Sequence, residues 1–172
     1  MRKFFFALAI AALVAVLPAA GTSQAQTRAE GQAPQVRAFP NLTPIYRIAG
    51  VIDDGAPANT GIATTVSCTN FKASAAQVQF VIRREDGSVQ DNPAFNILAR
   101  RTFTASTHAT FLVAENAILT PATVIRQGSM IIRATTPKVH CFAMIVDAGS
   151  AIPTFAVALS LTRLNQEKNA QE

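Results

Sequence analysis

The chain reads as an all-β protein, an antiparallel β-sandwich of seven or eight strands. Three observations point there. Apolar side chains alternate with small or polar ones along several short runs, the period of a strand with one buried side. Gly, Pro, Asn and Asp punctuate those runs, as turns between strands require. Outside the first residues, no stretch carries a sustained 3.6-residue apolar repeat.

The elements follow in order. Met1, Arg2 and Lys3 precede an unbroken apolar run from Phe4 to Leu17, then Pro18 and the small-residue stretch AAGTSQA. A basic start, a short apolar core and small residues at Ser23 and Ala25 form the pattern of a cleaved export signal over residues 1–25. The run is shorter than the roughly 20 residues that span a bilayer, so no membrane span is expected after cleavage. Residues 26–43, rich in Gln, Ala, Pro and charge, lack either period and read as a flexible leader. The sandwich domain is expected over residues 44–164, and the polar NQEKNAQE of residues 165–172 as a disordered tail.

Within the domain, Ile45 to Asp53 is apolar and β-branched and stops at Asp54-Gly55, an opening strand. Ile62, Thr64, Val66 and Cys68 share one face of the next, opposite Ala63, Thr65, Ser67 and Thr69. Val78, Phe80 and Ile82 repeat the pattern and end at Asp86-Gly87. Phe95 to Thr104 and His108 to Ala114 read as two strands joined by the Ala-Ser-Thr turn between them. Ala114 to Val124 has room for a helical turn, broken by Pro121. Met130 to Thr136 and Val139 to Asp147 flank Pro137-Lys138 and read as a hairpin. The second of these is apolar on both faces and belongs inside a sheet. A last strand is expected from Thr154 to Arg163.

The mature chain has the length of one ordinary domain. Loss of Arg2 and Lys3 lowers its formal charge from +5 to +3. Its arginines are scattered, adjacent only at Arg83-Arg84 and Arg100-Arg101, which reads as a solvated surface and not as a nucleic-acid stripe. The two cysteines, Cys68 and Cys141, are an even count in a chain addressed to an oxidising compartment. One disulfide is the expected state, with two buried free thiols as the alternative. They lack the paired spacing of a zinc site.

With Cys68 in an early strand and Cys141 in the next-to-last, the chain resembles the immunoglobulin-like domains. Phe80, twelve residues after Cys68, stands near the place of their core tryptophan. The chain has no tryptophan, and Val139 occupies the place of the corner tyrosine. The resemblance implies a bridge tying the two sheets across the core, and no functional residues.

Reactive chemistry is sparse. His108, among hydroxyls in THATF, reads as a strand-surface histidine bonded to a neighbour, and His140 faces away from Cys141. Asp53-Asp54 and Glu85-Asp86 each precede glycine and read as turn residues. There is no G-x-S-x-G elbow, no S-x-x-K motif and no glycine-rich phosphate loop. No catalytic, cofactor-binding or metal residues are therefore expected. The sequence favours an exported, non-enzymatic module, periplasmic or secreted, that binds an envelope component or a copy of itself. The alternative is a small periplasmic metal or ligand carrier using His108 and His140.

Overall fold

A strand with one apolar face is stable only when that face is covered, and two such sheets cover each other. That is the arrangement found. The structure, a computed structural model, describes residues 41–120 and 123–164. The expected signal at 1–25, all but the end of the leader, and the tail at 165–172 lie outside the described residues. The strands are β1 (Thr43–Asp54), β2 (Ile62–Asn70), β3 (Ala76–Arg83), β4 (Val89–Asp91), β5 (Ala94–Ile97), β6 (Thr102–Ser106), β7 (Ala117–Ile118), β8 (Val124–Ala134), β9 (Val139–Asp147), β10 (Ala156–Ala158) and β11 (Leu161–Arg163).

Sheet A runs in the order β11-β1-β8-β3-β4, with β5 also on β3. Sheet B runs β10-β9-β2-β6-β7. All pairings are antiparallel except the two-residue β6–β7 pair. Seven strands have four residues or more, and the other four are short pieces that finish the edges. Short edge strands limit the unpaired backbone offered to other chains.

The core lies between the sheets. Ile48, Val51, Phe80, Ile82, Met130 and Ile132 of sheet A meet Val66, Cys68, Ala105, Val139 and Ala143 of sheet B, all buried. Phe95 carries the contact across, its ring 6.1 Å from Phe80 and 4.8 Å from Phe103.

Several expectations are corrected. Phe95 to Thr104 is not one strand: β5 belongs to sheet A and β6 to sheet B. The chain turns between them with Arg100 at φ 56° and Arg101 N–H donating to Leu98 O. No Gly or Pro marks that turn, so the run looks continuous. The Ala-Ser-Thr segment is not a turn: Ala105 and Ser106 end β6, and Thr107 stays buried beside it. His108 to Ala114 is a loop that crosses the outer end of sheet B, where Leu112 packs against Ala63, Val146 and Ala148. The stretch read as a helical turn contains β7.

The segments around Pro137-Lys138 are strands but not a hairpin, because β8 lies in sheet A and β9 in sheet B. The last strand is likewise two, β10 on sheet B and β11 on sheet A. A turn residue reports a change of direction, not whether the chain returns to the same sheet. By contrast, β9 is internal to its sheet, between β10 and β2, while the Asp86-Gly87 turn is a hairpin closed by Arg84 N–H on Ser88 O.

The bridge Cys68–Cys141 is formed. It does not span the core. Cys68 and Cys141 are register partners on the adjacent strands β2 and β9, with Cα atoms 4.1 Å apart. The immunoglobulin-like bridge implied by the spacing is therefore corrected to a cross-strand link within sheet B.

Candidate functional site

Two features concentrate the polar side chains. The first is a buried clasp at one end of the sandwich. β1 ends in Asp53-Asp54, and each carboxylate first folds the following loop: Asp53 Oδ1 accepts from Gly55 N (2.7 Å), and Asp54 accepts from Ala56 N and Ile62 N. Gly61 closes the loop with φ 70°, and a Cβ there would collide with the Asp54 carboxylate. Asp53, 1% exposed, then reaches His108, 3% exposed, with Oδ2 2.9 Å from Nδ1.

The other ring nitrogen, Nε2, lies 2.9 Å from Thr60 O. A carbonyl oxygen only accepts, so Nε2 donates to it, and a proton lies between Nδ1 and Oδ2. Neither nitrogen keeps a free lone pair. Alongside, Thr64 Oγ1 donates to Ile52 O (2.8 Å) and accepts from Ile52 N (2.9 Å), which joins β2 of one sheet to β1 of the other. Thr64 N donates in turn to Thr107 Oγ1. Buried polar groups need such partners, and here they have them.

Asp53, Asp54 and His108 bring their possible ligand atoms within 4.8 Å of one another. Their hydrogen bonds within the loop account for that proximity. His140, the second histidine singled out from sequence, is register partner to Thr69, while His108 adjoins the Thr64 end of β2. Five residues of strand separate those levels, about 17 Å. The fold does not bring the two histidines together. His140 instead meets Phe71 edge to face at 5.1 Å. His108 is corrected from a surface position to the centre of the clasp.

The second feature is the outer face of sheet B. Thr65, Ser67 and Thr69 of β2 pair with Ser106, Thr104 and Thr102 of β6 through side-chain hydroxyl contacts of 3.0, 2.9 and 2.8 Å. Glu115 Oε1 holds the buried end of this ladder, accepting from Ser106 Oγ, Thr110 N and Thr110 Oγ1. Beside it β9 presents His140, Phe142 and Met144, opposite Thr69, Ser67 and Thr65. Phe142 is 51% exposed and Phe71, just past β2, 61%. No Asp, Glu, Lys or Arg occupies any ladder position on this face.

Sequence reading missed Asn70, whose buried amide donates to Ser74 O, Ile97 O and Leu98 O and ties the β2–β3 and β5–β6 turns. Asn at a strand end before a polar stretch was its only signal. Glu115 carried none, since its partners are set by loop geometry.

Fold and site together define a two-sheet β-sandwich with a disulfide inside one sheet. No family model matches the chain, and no curated protein matches it. Among solved structures it is similar to the crystal structure of Thermotoga maritima 1070, at 14% identity over 72% of this chain and 93% of that one, with a TM-score of 0.43.

Proposed function

We propose that this protein is an exported, non-enzymatic binding module of the cell envelope or extracellular space, and that the outer face of sheet B is its contact surface. One observation carries the reading: Phe71, His140 and Phe142 stand exposed beside a hydroxyl ladder whose strand positions carry no formal charge, the Glu115 carboxylate being tied into its buried end. Charged residues are depleted at the centres of protein interfaces and aromatic residues are enriched there. An exposed apolar cluster on a protein surface is a recurring mark of such contacts.

The chemistry at the clasp supports the same reading. His108 is held at both nitrogens, so it has no free base to offer a substrate. A disulfide suits an oxidising compartment. Among the described residues, no helix is long and apolar enough to cross a membrane.

Capture of envelope proteins by the native chain and by Phe142→Ser, together with light scattering on both, tests the reading. The expected result is a partner, or a second copy, that is held by the native chain and lost with Phe142→Ser. Retention of the same partner by Phe142→Ser overturns this surface as the contact. Export is checked separately by cell fractionation and by N-terminal sequencing, with Gln26 expected as the first residue.

A further inference from the structure

The arginines that look scattered in the sequence are partly gathered by the fold. On the outer face of sheet A, Arg47 of β1 pairs with Ile131, Arg83 of β3 with Ser129, and Arg133 of β8 with Pro44 and Gln79. All three sit at outward ladder positions, around Ile131 and Val81. The outward positions between and beside them, Ala49, Ser129, Gln77 and Gln79, carry no charge, and the one exposed carboxylate on these strands, Asp54, lies at the far end of β1, where it accepts from Ala56 N and Ile62 N.

These guanidinium groups are not committed to acids of the protein. Among the described residues the one ion pair is His108 with Asp53. Arg83 donates to Gly87 O at 2.7 Å. Arg133 is more telling, since its Nε is buried with no hydrogen-bond acceptor. An unmatched donor of that kind is costly, and because this nitrogen is shielded from solvent, an external anionic oxygen would meet the outer end of the guanidinium and not Nε itself.

We propose that the outer face of sheet A docks on the phosphate-bearing surface of an anionic lipid layer. Charge complementarity favours this occupant, because one face of the sheet presents all three arginines. β1 and β3 flank β8, so Arg47 and Arg83 stand on strands about 10 Å apart, and Arg133 lies about 13 Å along β8 from the level of Arg83. That spread is too wide for a single phosphate and suits several phosphates in one plane. Guanidinium is the side chain with the planar fork for phosphate oxygens. The choice of a lipid layer over nucleic acid rests on the exported reading above.

Co-sedimentation of the chain, purified as the cell processes it, with vesicles of phosphatidylcholine alone and with added phosphatidylglycerol tests the proposal. Binding is expected to the anionic vesicles only, and to weaken as salt screens it. Arg47→Gln and Arg133→Gln are each expected to weaken partitioning on the order of five-fold. Lys72→Gln, which removes the same charge from the β2–β3 turn, leaves it nearly unchanged, as does Phe142→Ser on the opposite face. Melting curves verify that each variant is folded.

Three results would overturn the proposal. They are equal binding to both vesicle types or to neither, an effect of Lys72→Gln as large as that of Arg47→Gln, and binding to an oligonucleotide without binding to vesicles. A Phe142→Ser variant that keeps its partner would count against the sheet B reading alone.

Discussion

On the outer face of sheet B, three pairs of hydroxyls bond to one another across β2 and β6, and Glu115 closes the buried end. On the outer face of sheet A, Arg47 stands in solvent and Arg133 buries a donor that nothing accepts. The first face has used its polar groups to hold the protein together. The second leaves the Arg47 guanidinium open to solvent and one Arg133 nitrogen buried without a partner. Polar residues on a β-sandwich surface therefore fall into two kinds, and composition does not separate them. Only the partner of each group does.

The bridge that fastens sheet B should carry the most stability. In the chain-entropy model, closing a loop of 73 residues stabilises the fold by about 4 kcal/mol. Cys141→Ser is expected to lose that amount. Cys68→Ser should lose about 5 kcal/mol, because Cys68 is fully buried and Cys141 only partly, and a hydroxyl in the core lacks a partner. Urea unfolding under non-reducing conditions measures the pair, and equal losses would refute the difference. Thiol counting on denatured, unreduced protein should find none free.

The clasp comes next. His108→Ala leaves the Asp53 carboxylate buried without its partner, and losses for such changes run to about 3 kcal/mol or more. The same unfolding experiment reads it, and a loss as small as that of an ordinary surface substitution would show that the clasp does not hold the two sheets.

Sheet A should respond in the opposite direction. Arg133→Met removes the unmatched donor while keeping an apolar stem, and is expected to raise stability by about 1 kcal/mol. A loss of stability would mean that the guanidinium is already satisfied. Removing the Ser67 hydroxyl, by contrast, should lower stability, since it leaves Thr104 without its partner.

The smallest effect concerns Asp147 at the end of β9. Hydrogen bonds from Gly149 N, then Thr154 N and the Thr154 hydroxyl, hold its carboxyl below the ordinary carboxylate range. A carboxyl depressed in the fold stabilises it above its unfolded value. That contribution fades as pH falls through the folded value. Asp147→Asn should therefore be less stable than the native chain near neutral pH, and the gap should close in acid below about pH 4. Unfolding midpoints across pH measure this, and a gap that widened in acid would reverse the assignment.

Much of the fold was legible because alternation is local. Ile62 to Thr69 and Val78 to Ile82 each declare a buried face through their own side chains, and both are strands as read. The errors fall where the signal would have to be long-range. Leu98 to Arg101 turns without Gly or Pro, so a change of sheet is invisible there. Ala105 to Thr107 looks like a turn because small hydroxyl residues suit turns, yet its hydroxyls are matched by Thr65, Glu115 and Thr64. At the site, Asp53 was recognised only as a turn residue, and half of it is that: Oδ1 shapes the turn. The other oxygen binds His108, 55 residues away.

By itself, then, the sequence determined the all-β class and the positions of β1, β2, β3 and β9, and it favoured a bridge between its two cysteines, because period, turn chemistry and an even cysteine count are properties of residues near one another or few in number; the first half of β8, before Met130, was not legible. Tertiary structure decided which sheet each strand joined. It set the bridge within sheet B instead of across the core, closed His108 on Asp53, and gathered Arg47, Arg83 and Arg133 on one face. Each of these depends on strand register between distant segments. Register follows from burying every apolar face at once, and no single stretch of chain contains that information.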